Sequence, residues 1–217
     1  MAERADALTQ TIRARLSATP RDAQAHFDQA LEIIVFGSMA AGLERPDSDI
    51  DVLCIGGPPF RHKTGALDLL VLPEEMTHEP LWTQSELASH VCGYGVWIKG
   101  QSRWINQVRI GEEAVEEKRR RVQAFMRSLP TSWRRLEEGF KTKYSIKIRR
   151  EVQRLLLLAR NVPVPPTATL DEHWETLTTR PNEVNECLRG LIPKGCDEFS
   201  RQFLAKVDAN FRRSHLS

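Results

Sequence analysis

Four short apolar runs in the first hundred residues predict the strands of one sheet. Each run is five to seven residues long, and three of the four are followed at once by Gly or Pro, as is typical of buried strands. Acidic residues interrupt the second and third runs. The runs cover residues 31–36, 49–55, 66–72 and 96–100.

Sequence patterns typical of helices lie before and between these predicted strands, and only helices are predicted after the last strand. The predicted helices cover residues 3–16, 21–31, 83–91, 103–128, 131–160, 170–177, 183–190 and 197–213. For the helix at 83–91, Thr83 is the expected N-cap because Glu86 follows at the spacing of a capping box. Pro130 is expected to separate the two long helices, since proline disrupts a helix interior.

The second long helix carries one apolar stripe, which recurs at intervals of three and four residues and predicts a core-facing side. Its members are Tyr144, Ile148, Val152, Leu155 and Ala159.

The order of elements predicts an α/β (α+β) fold with a mixed sheet, followed by a helical module. We expect the first domain to cover residues 1–100, including the N-terminal helices, and the helical domain to cover residues 101–217. A chain of 217 residues is long enough for two small domains, each with its own core.

Charge is divided unevenly between the two modules. Residues 21–98 contain four Lys/Arg against twelve Asp/Glu, a net charge of −8, whereas residues 99–160 contain seventeen against seven, a net charge of +10. An acidic region beside a basic one suits a ligand made of metal and polyphosphate, or an anionic polymer on the basic side. The alternative is that most of these charges are solvated helix faces.

Composition excludes several other classes of protein. The four cysteines form no C-x-x-C pair and the histidines show no zinc-ligand spacing, which favours a reduced cytoplasmic protein without a dedicated zinc site. No apolar run approaches the length of a membrane span, and the N-terminal residues lack the apolar core of a signal peptide.

The stretch VFGSMAAGLERPDSDIDVL, residues 35–53, has the chemistry of a phosphate and metal site. A strand that ends in Gly37 and Ser38 and turns into a helix start offers backbone N–H groups and a hydroxyl to phosphate. Asp49 and Asp51 alternate along the next strand and therefore lie on one face. Two close carboxylates repel each other unless a cation lies between them, and hard oxygen ligands favour Mg²⁺ or Mn²⁺.

Asp68 lies in the otherwise apolar third strand, ALDLLVL. A buried carboxylate is costly unless it is paired or bound to metal, so we expect Asp68 to converge with Asp49 and Asp51 on adjacent strands. Such a site would activate an attacking hydroxyl and stabilise a leaving pyrophosphate. Asp68, as the least solvated of the three, is also the candidate general base.

Together these motifs resemble the nucleotidyltransferase superfamily, which includes DNA polymerase beta, the antibiotic nucleotidyltransferases and the minimal nucleotidyltransferases. The pattern of the small bacterial members, G-S-x-A-R-G-x-x-R-x-x-S-D-I-D, is matched at nine positions, while Ala41 stands where many members have arginine. The matching residues are Gly37, Ser38, Ala40, Gly42, Arg45, Ser48, Asp49, Ile50 and Asp51.

The resemblance implies a nucleotidyltransferase-type sheet and a set of residue roles. Gly37 and Ser38 would hold the triphosphate, and Asp49, Asp51 and Asp68 would bind Mg²⁺ or Mn²⁺. Two basic residues are further nucleotide-binding candidates: Arg45 in the motif, and Lys147, because some members use a lysine of the helical domain. The alternative for Lys147 is a solvated stripe formed with Lys143, Arg150 and Arg154.

The function implied is transfer of a nucleoside monophosphate from an NTP, with ATP expected, to a hydroxyl acceptor. The acceptor is a small molecule, a protein or an RNA, and the sequence does not distinguish these. One alternative is an antitoxin or regulatory nucleotidyltransferase that acts through a partner protein. Another is a member that binds nucleic acid through the basic residues 118–154.

Overall fold

The elements of secondary structure are seen in a computed structural model, which describes residues 2–46, 48–172 and 181–213. Two short 3₁₀ turns lie at Glu75–His78 and Trp104–Gln107. The other elements are α-helices and β-strands. In chain order these are α1 (Ala2–Leu16), α2 (Arg21–Gln29), β1 (Glu32–Phe36), α3 (Gly37–Ala41), β2 (Ile50–Ile55), β3 (Phe60–Lys63), β4 (Leu67–Leu72), α4 (Pro80–Thr83), α5 (Glu86–Tyr94), β5 (Val96–Lys99), α6 (Glu112–Trp133), α7 (Glu138–Ala159), α8 (Thr167–Glu172), α9 (Pro181–Leu191) and α10 (Asp197–Arg213).

The five strands form one mixed sheet in the order β3-β4-β2-β1-β5. β2 and β4 are parallel, while the other three pairs are antiparallel. The predicted mixed α/β sheet followed by helices is therefore confirmed. The β3–β4 hairpin is the means by which β4 returns beside β2 in the same direction.

Each face of the sheet is covered by a separate apolar cluster. Strand side chains alternate, so Ile50, Val52 and Cys54 pack with α1 and α2. Leu53 and Ile55 lie on the opposite face, in a cluster that includes residues of α4 and α5 and the edge-to-face pair Trp82 and Trp104. Asp51 and Asp68 share the α5 face by the same alternation, because they follow the pattern of Leu53 and of Leu70.

Two arginines of α1 donate hydrogen bonds to backbone carbonyls near the predicted site. Arg15 Nη1 donates hydrogen bonds to the carbonyl oxygens of Ser48, at 2.9 Å, and of Ala66. These carbonyls immediately precede the polar ends of β2 and β4. Arg4 Nη2 donates to the carbonyl oxygen of Ala40 in α3 at 2.5 Å. The arginines thus satisfy backbone acceptors on three of the segments that carry the predicted site.

The structure divides into two compact units, Met1–Ile110 with Pro163–Ala168, and Gly111–Val162 with Thr169–Ser217. The first unit contains the sheet. The predicted domain division at residue 100 stays a prediction.

The second unit is built around α7, whose buried face packs against α6, α9 and α10. Trp133 is buried against Phe199 and Phe203 in edge-to-face contacts. A buried ion pair joins Lys118 and Glu151, whose nitrogen and oxygen atoms are 3.0 Å apart. Ile148, Val152 and Leu155 of the predicted stripe are buried and Tyr144 is partly buried, but Ala159 is exposed because α7 ends there.

Two predictions about helix ends are wrong. Pro130 lies inside α6, which continues to Trp133; proline removes one N–H donor, while Leu129 and Trp133 on either side of it are buried in the core. The N-cap of α5 is Ser85, whose hydroxyl oxygen accepts from the Ala88 N–H at 3.0 Å. Thr83 instead ends α4 and donates to the Glu79 carbonyl.

Other boundaries also move. The helix predicted from residue 103 begins at Glu112, after the extended Gly111, and the preceding Trp104–Gln107 is a 3₁₀ turn. Of the helix predicted at 170–177, residues 173–177 lie outside the described residues. Among the described residues, no helix is long and apolar enough to cross a membrane.

Replacing Arg15 tests whether α1 stabilises the strand ends. We expect Arg15→Met to lower the free energy of unfolding by roughly 1–2 kcal/mol, because the partly buried hydrogen bond to Ser48 and the exposed one to Ala66 both lose their charged donor. The matched control is Arg13→Met on the same helix, whose exposed ion pair with Asp28 should contribute at most about 1 kcal/mol. Urea unfolding of both variants measures the difference. Equal effects would show that Arg15 does not fasten the strands.

Candidate active site

Strand register aligns two of the predicted site residues, Asp51 and Asp68, in one row across the sheet with Phe36 and Lys63. Phe36 of β1 pairs with Asp51 of β2, Asp51 pairs with Asp68 of β4, and Asp68 pairs with Lys63 of β3. Directly paired residues point to the same face of a sheet. The carboxylates of Asp51 and Asp68 are therefore neighbours at the ends of two parallel strands, as the sequence predicts.

Gly37 is required at the turn beside this row. Its φ of +73° lies in the left-handed region. A Cβ at this position would lie 2.2 Å from Oδ2 of Asp51, which leaves no room for any side chain. Gly37 thus lets the turn after β1 approach Asp51 of β2 closely, and Ser38 follows it as a half-buried residue of α3.

His90 of α5 holds the Gly37 turn in place. The Gly37 N–H donates to Nε2 of His90 at 3.3 Å, and Nδ1 of His90 lies 2.6 Å from the carbonyl oxygen of Val164. An accepting Nε2 assigns the proton to Nδ1, which donates to Val164. The N–H of Gly37, which the sequence suggests is open to phosphate, is thus engaged with His90.

Asp51 is the carboxyl group of this row whose pKa is raised. Burial raises the pKa of Asp51, and the nearby charges of Asp49 and Asp68 raise it further, to about 7. The cations Lys63 and Arg61 offset only part of this effect. Near neutral pH, Asp51 would therefore gain substantially from a further cation at its carboxylate.

Asp68 is 8% exposed and is held by two cations of β3. Arg61 donates from Nε at 3.1 Å and from Nη2 at 2.9 Å, one bond to each carboxylate oxygen, and Lys63 donates to Oδ2. Burial acts to raise the pKa of Asp68, but the hydrogen bonds from Arg61 and Lys63 outweigh it and the pKa is lowered. Asp68 is an ionised carboxylate at neutral pH.

Asp49 and Arg45 flank the start of β2. The carboxylate of Asp49 is 39% exposed and lies 3.8 Å from Nζ of Lys63, so Lys63 contacts both Asp49 and Asp68. The Arg45 side chain is exposed, and its backbone exchanges hydrogen bonds with Ser48 on the approach to β2.

Lys147 lies in the second unit, where Nζ is 4.9 Å from the centre of the Phe125 ring. The predicted basic stripe is not uniformly solvated. Arg150 pairs with Asp171, and Arg154 pairs with Glu151, while Lys143 and Lys147 are exposed. Lys147 therefore stays a prediction as a triphosphate ligand.

The carboxylates suit a divalent metal ion by their chemistry, because hard oxygen donors are the ligands that Mg²⁺ and Mn²⁺ prefer. Within the described part of the chain, no group of three or more His, Cys, Asp and Glu side chains is placed to hold a metal ion. The carboxylates instead face protein cations, and Lys63 contacts two of them. The donors fit a metal ion, and binding one requires these ion pairs to rearrange.

Three site residues were missed by reasoning from the sequence: Arg61, Lys63 and His90. The alternation of Arg61, His62 and Lys63 indicates a strand with both cations on one face, but the run is short, polar and preceded by Gly-Gly-Pro-Pro. No comparable sequence signal marks His90, since its contact with Gly37 joins residues 53 positions apart.

Carboxylates at the ends of adjacent strands, next to a glycine turn in a mixed sheet, agree with the features that the resemblance to nucleotidyltransferases implies. In agreement, residues 21–123 match the family model described as a nucleotidyltransferase domain. This match supports the nucleotidyltransferase superfamily for residues 21–123, as the Gly-Ser and D-x-D motifs predict. The domain supports transfer of a nucleoside monophosphate and implies an NTP substrate. A comparison with curated proteins finds no match.

Gly37→Ala tests the close approach of the turn to Asp51. The matched control is Gly42→Ala, since Gly42 has nearly the same φ of +71° but only Arg4 Nη2, at 3.5 Å, near its Cβ position. In both variants, a non-glycine residue in the left-handed conformation lowers the free energy of unfolding by about 1–2 kcal/mol. Only Gly37→Ala also displaces Asp51, so we expect at least tenfold weaker nucleotide binding in that variant alone, measured by calorimetry. Equal binding losses would remove this role from Gly37.

Thermal unfolding of Asp51→Asn and Asp68→Asn without metal tests the opposite pKa shifts. Asp51 binds its proton more tightly when folded, so its ionisation destabilises the protein as the pH rises from about 4 to 7. We expect Asp51→Asn to unfold at a higher temperature than wild type at pH 8, by roughly 2–4 °C for each kcal/mol gained in the free energy of unfolding. The difference should be smaller at pH 5.

Asp68→Asn should behave in the opposite way. The lowered pKa of Asp68 means that its ionised form stabilises the folded protein above pH 4, and this contribution is lost as the pH falls. The variant should therefore unfold at a lower temperature than wild type at neutral pH. The same sign for both variants would contradict the assigned electrostatics.

Proposed function

We propose that this protein transfers a nucleoside monophosphate from an NTP, with ATP as the expected donor, to a hydroxyl group of an acceptor. The observation that carries the proposal is the row of carboxylates next to Gly37. Asp51 and Asp68 are register partners on parallel strands, and the turn at Gly37 approaches Asp51 more closely than a side chain would permit. The family match supports nucleotidyl transfer in general.

The nucleotide would be held by the turn and by nearby cations. Gly37 and Ser38 would contact the triphosphate through backbone N–H groups and the Ser38 hydroxyl. His90 would have to release the Gly37 N–H before phosphate could use that donor. The exposed Arg45 is a further candidate for the triphosphate, because its guanidinium offers several donors to phosphate oxygens.

Asp49 and Asp51, with Asp68 beside them, would hold Mg²⁺, or Mn²⁺ in its place. When bound, such an ion supplies positive charge for the triphosphate and for the leaving pyrophosphate. The raised pKa of Asp51 supports this assignment, because a carboxylate in that environment gains from an added cation.

Asp68 stays the candidate general base, provided that one of its oxygens is free to accept a proton. Both oxygens of Asp68 accept hydrogen bonds from Arg61 or Lys63, and its pKa is lowered. To accept a proton from the acceptor hydroxyl, Asp68 would need one oxygen released by these cations. The proposed chemistry therefore includes a rearrangement of the β3 side chains.

Metal-dependent nucleotide binding is the first test of the proposed function. We expect calorimetry to show ATP binding in Mg²⁺ that weakens at least tenfold, or about 1.4 kcal/mol, in EDTA or in Asp51→Asn. Asp22→Asn is the matched control, because it removes an exposed carboxylate from α2 in the same unit. Lys147→Ala in the same titration tests whether that residue contributes to triphosphate binding. Unchanged affinity in EDTA would contradict the metal assignment.

Incubation with NTPs labelled at the α-phosphate then tests transfer and identifies the acceptor class. Separate reactions with small hydroxyl compounds, protein and RNA should show label incorporation into one class, lost in Asp51→Asn and retained in Asp22→Asn. No incorporation into any class, combined with intact ATP binding, would contradict the proposed transferase activity.

A further inference from the structure

Lys63 occupies the place of a cation among the three carboxylates of the site. Its Nζ lies 3.8 Å from Oδ2 of Asp49 and donates a hydrogen bond to Oδ2 of Asp68. Its charge also acts on Asp51, the third carboxylate. One ammonium group thus interacts with each acidic residue that the D-x-D motif and β4 contribute.

Backbone structure fixes this position of Lys63. The turn between β3 and β4 is closed by the Thr64 N–H, which donates to the Leu67 carbonyl at 2.8 Å, and by the Thr64 hydroxyl oxygen, which accepts from the Leu67 N–H at 3.1 Å. This turn places Lys63 directly opposite Asp68 in the antiparallel pair. The Cβ of Lys63 therefore lies next to Asp68 on the same face of the sheet, whichever rotamer the rest of the side chain adopts.

The side chain of Lys63 is nevertheless free to leave. It is 56% exposed, on an edge strand, so its ammonium can move into water without opening the apolar core. Arg61 differs, because it donates two hydrogen bonds to Asp68 alone, one to each carboxylate oxygen. Withdrawal of Lys63 would uncover oxygens of both Asp49 and Asp68 while Arg61 still held Asp68.

We propose that Lys63 is a built-in substitute for the metal ion: its ammonium holds Asp49, Asp51 and Asp68 together in the metal-free protein, and a divalent ion must displace it to bind. This inference rests on the proposed metal binding. It makes Lys63 a positioning residue whose loss strengthens metal binding, whereas loss of an ordinary supporting residue would weaken it. Cations that compete for the same oxygens exclude one another because their charges repel.

The test is a titration of nucleotide-free protein with Mn²⁺, followed by electron paramagnetic resonance of the unbound ion. Lys63→Gln should bind Mn²⁺ about fivefold or more tightly than wild type, as expected for removing a partly exposed competing ion pair. Arg61→Gln should show a smaller increase, and Lys63→Arg, which keeps the charge, should stay close to wild type. Lys99→Gln, an exposed lysine of β5 in the same sheet, controls for net charge.

Thermal unfolding supplies a second readout that does not depend on activity. Without metal, Lys63→Gln should unfold at a lower temperature than Lys99→Gln, since three carboxylates lose a shared cation. Saturating Mn²⁺ should then raise the unfolding temperature of Lys63→Gln more than that of wild type. A variant that merely fails to pack would not regain stability with the ion.

The outcomes separate the inference from the proposed function. If wild type binds Mn²⁺ in an Asp51-dependent way and Lys63→Gln binds it equally or more weakly, the role of Lys63 is overturned while the metal site stands. If wild type and Lys63→Gln both fail to bind Mn²⁺, or if Asp51→Asn binds it as wild type does, the proposed metal site is itself wrong, and the displacement of Lys63 with it.

Discussion

Repulsion between carboxylates that the sheet register brings together is the constraint on which the site depends. Asp51 and Asp68 cannot move apart, because they are paired residues on hydrogen-bonded parallel strands. Their charge must be neutralised by protonation, by protein cations or by a bound metal ion. The raised pKa of Asp51 reflects the first route and the ion pairs of Lys63 and Arg61 reflect the second. Nucleotide transfer, as proposed, would use the third.

The surrounding fold stabilises this costly arrangement from several sides. Arg15 and Arg4 of α1 satisfy carbonyls next to β2, β4 and α3, and His90 of α5 holds the Gly37 turn. Two apolar clusters, one on each face, keep the strands in register. Burial of apolar side chains and charged hydrogen bonds to backbone acceptors thus support a site in which the ionised form of Asp51 opposes folding.

The sequence predicted what depends on local pattern. Strands β1, β2, β4 and β5 are apolar runs, and Asp51 and Asp68 lie on one face by their alternation with the apolar residues of β2 and β4. Strand β3 was missed because Phe60–Lys63 is short and polar, and with it the two cations that donate hydrogen bonds to Asp68. The ending of α6 depended on packing of Leu129 and Trp133 rather than on Pro130. The contact of His90 with Gly37 comes from tertiary structure alone.

A crystal structure with Mn²⁺ and a non-hydrolysable ATP analogue, recorded at the manganese absorption edge, would locate both the metal ion and the triphosphate. We expect an anomalous peak bound by the carboxylates of Asp49 and Asp51, the triphosphate against Gly37 and Ser38, and the Lys63 ammonium withdrawn from Asp49. A peak and triphosphate elsewhere, with Lys63 still between Asp49 and Asp68, would contradict both the proposed site and the displacement of Lys63.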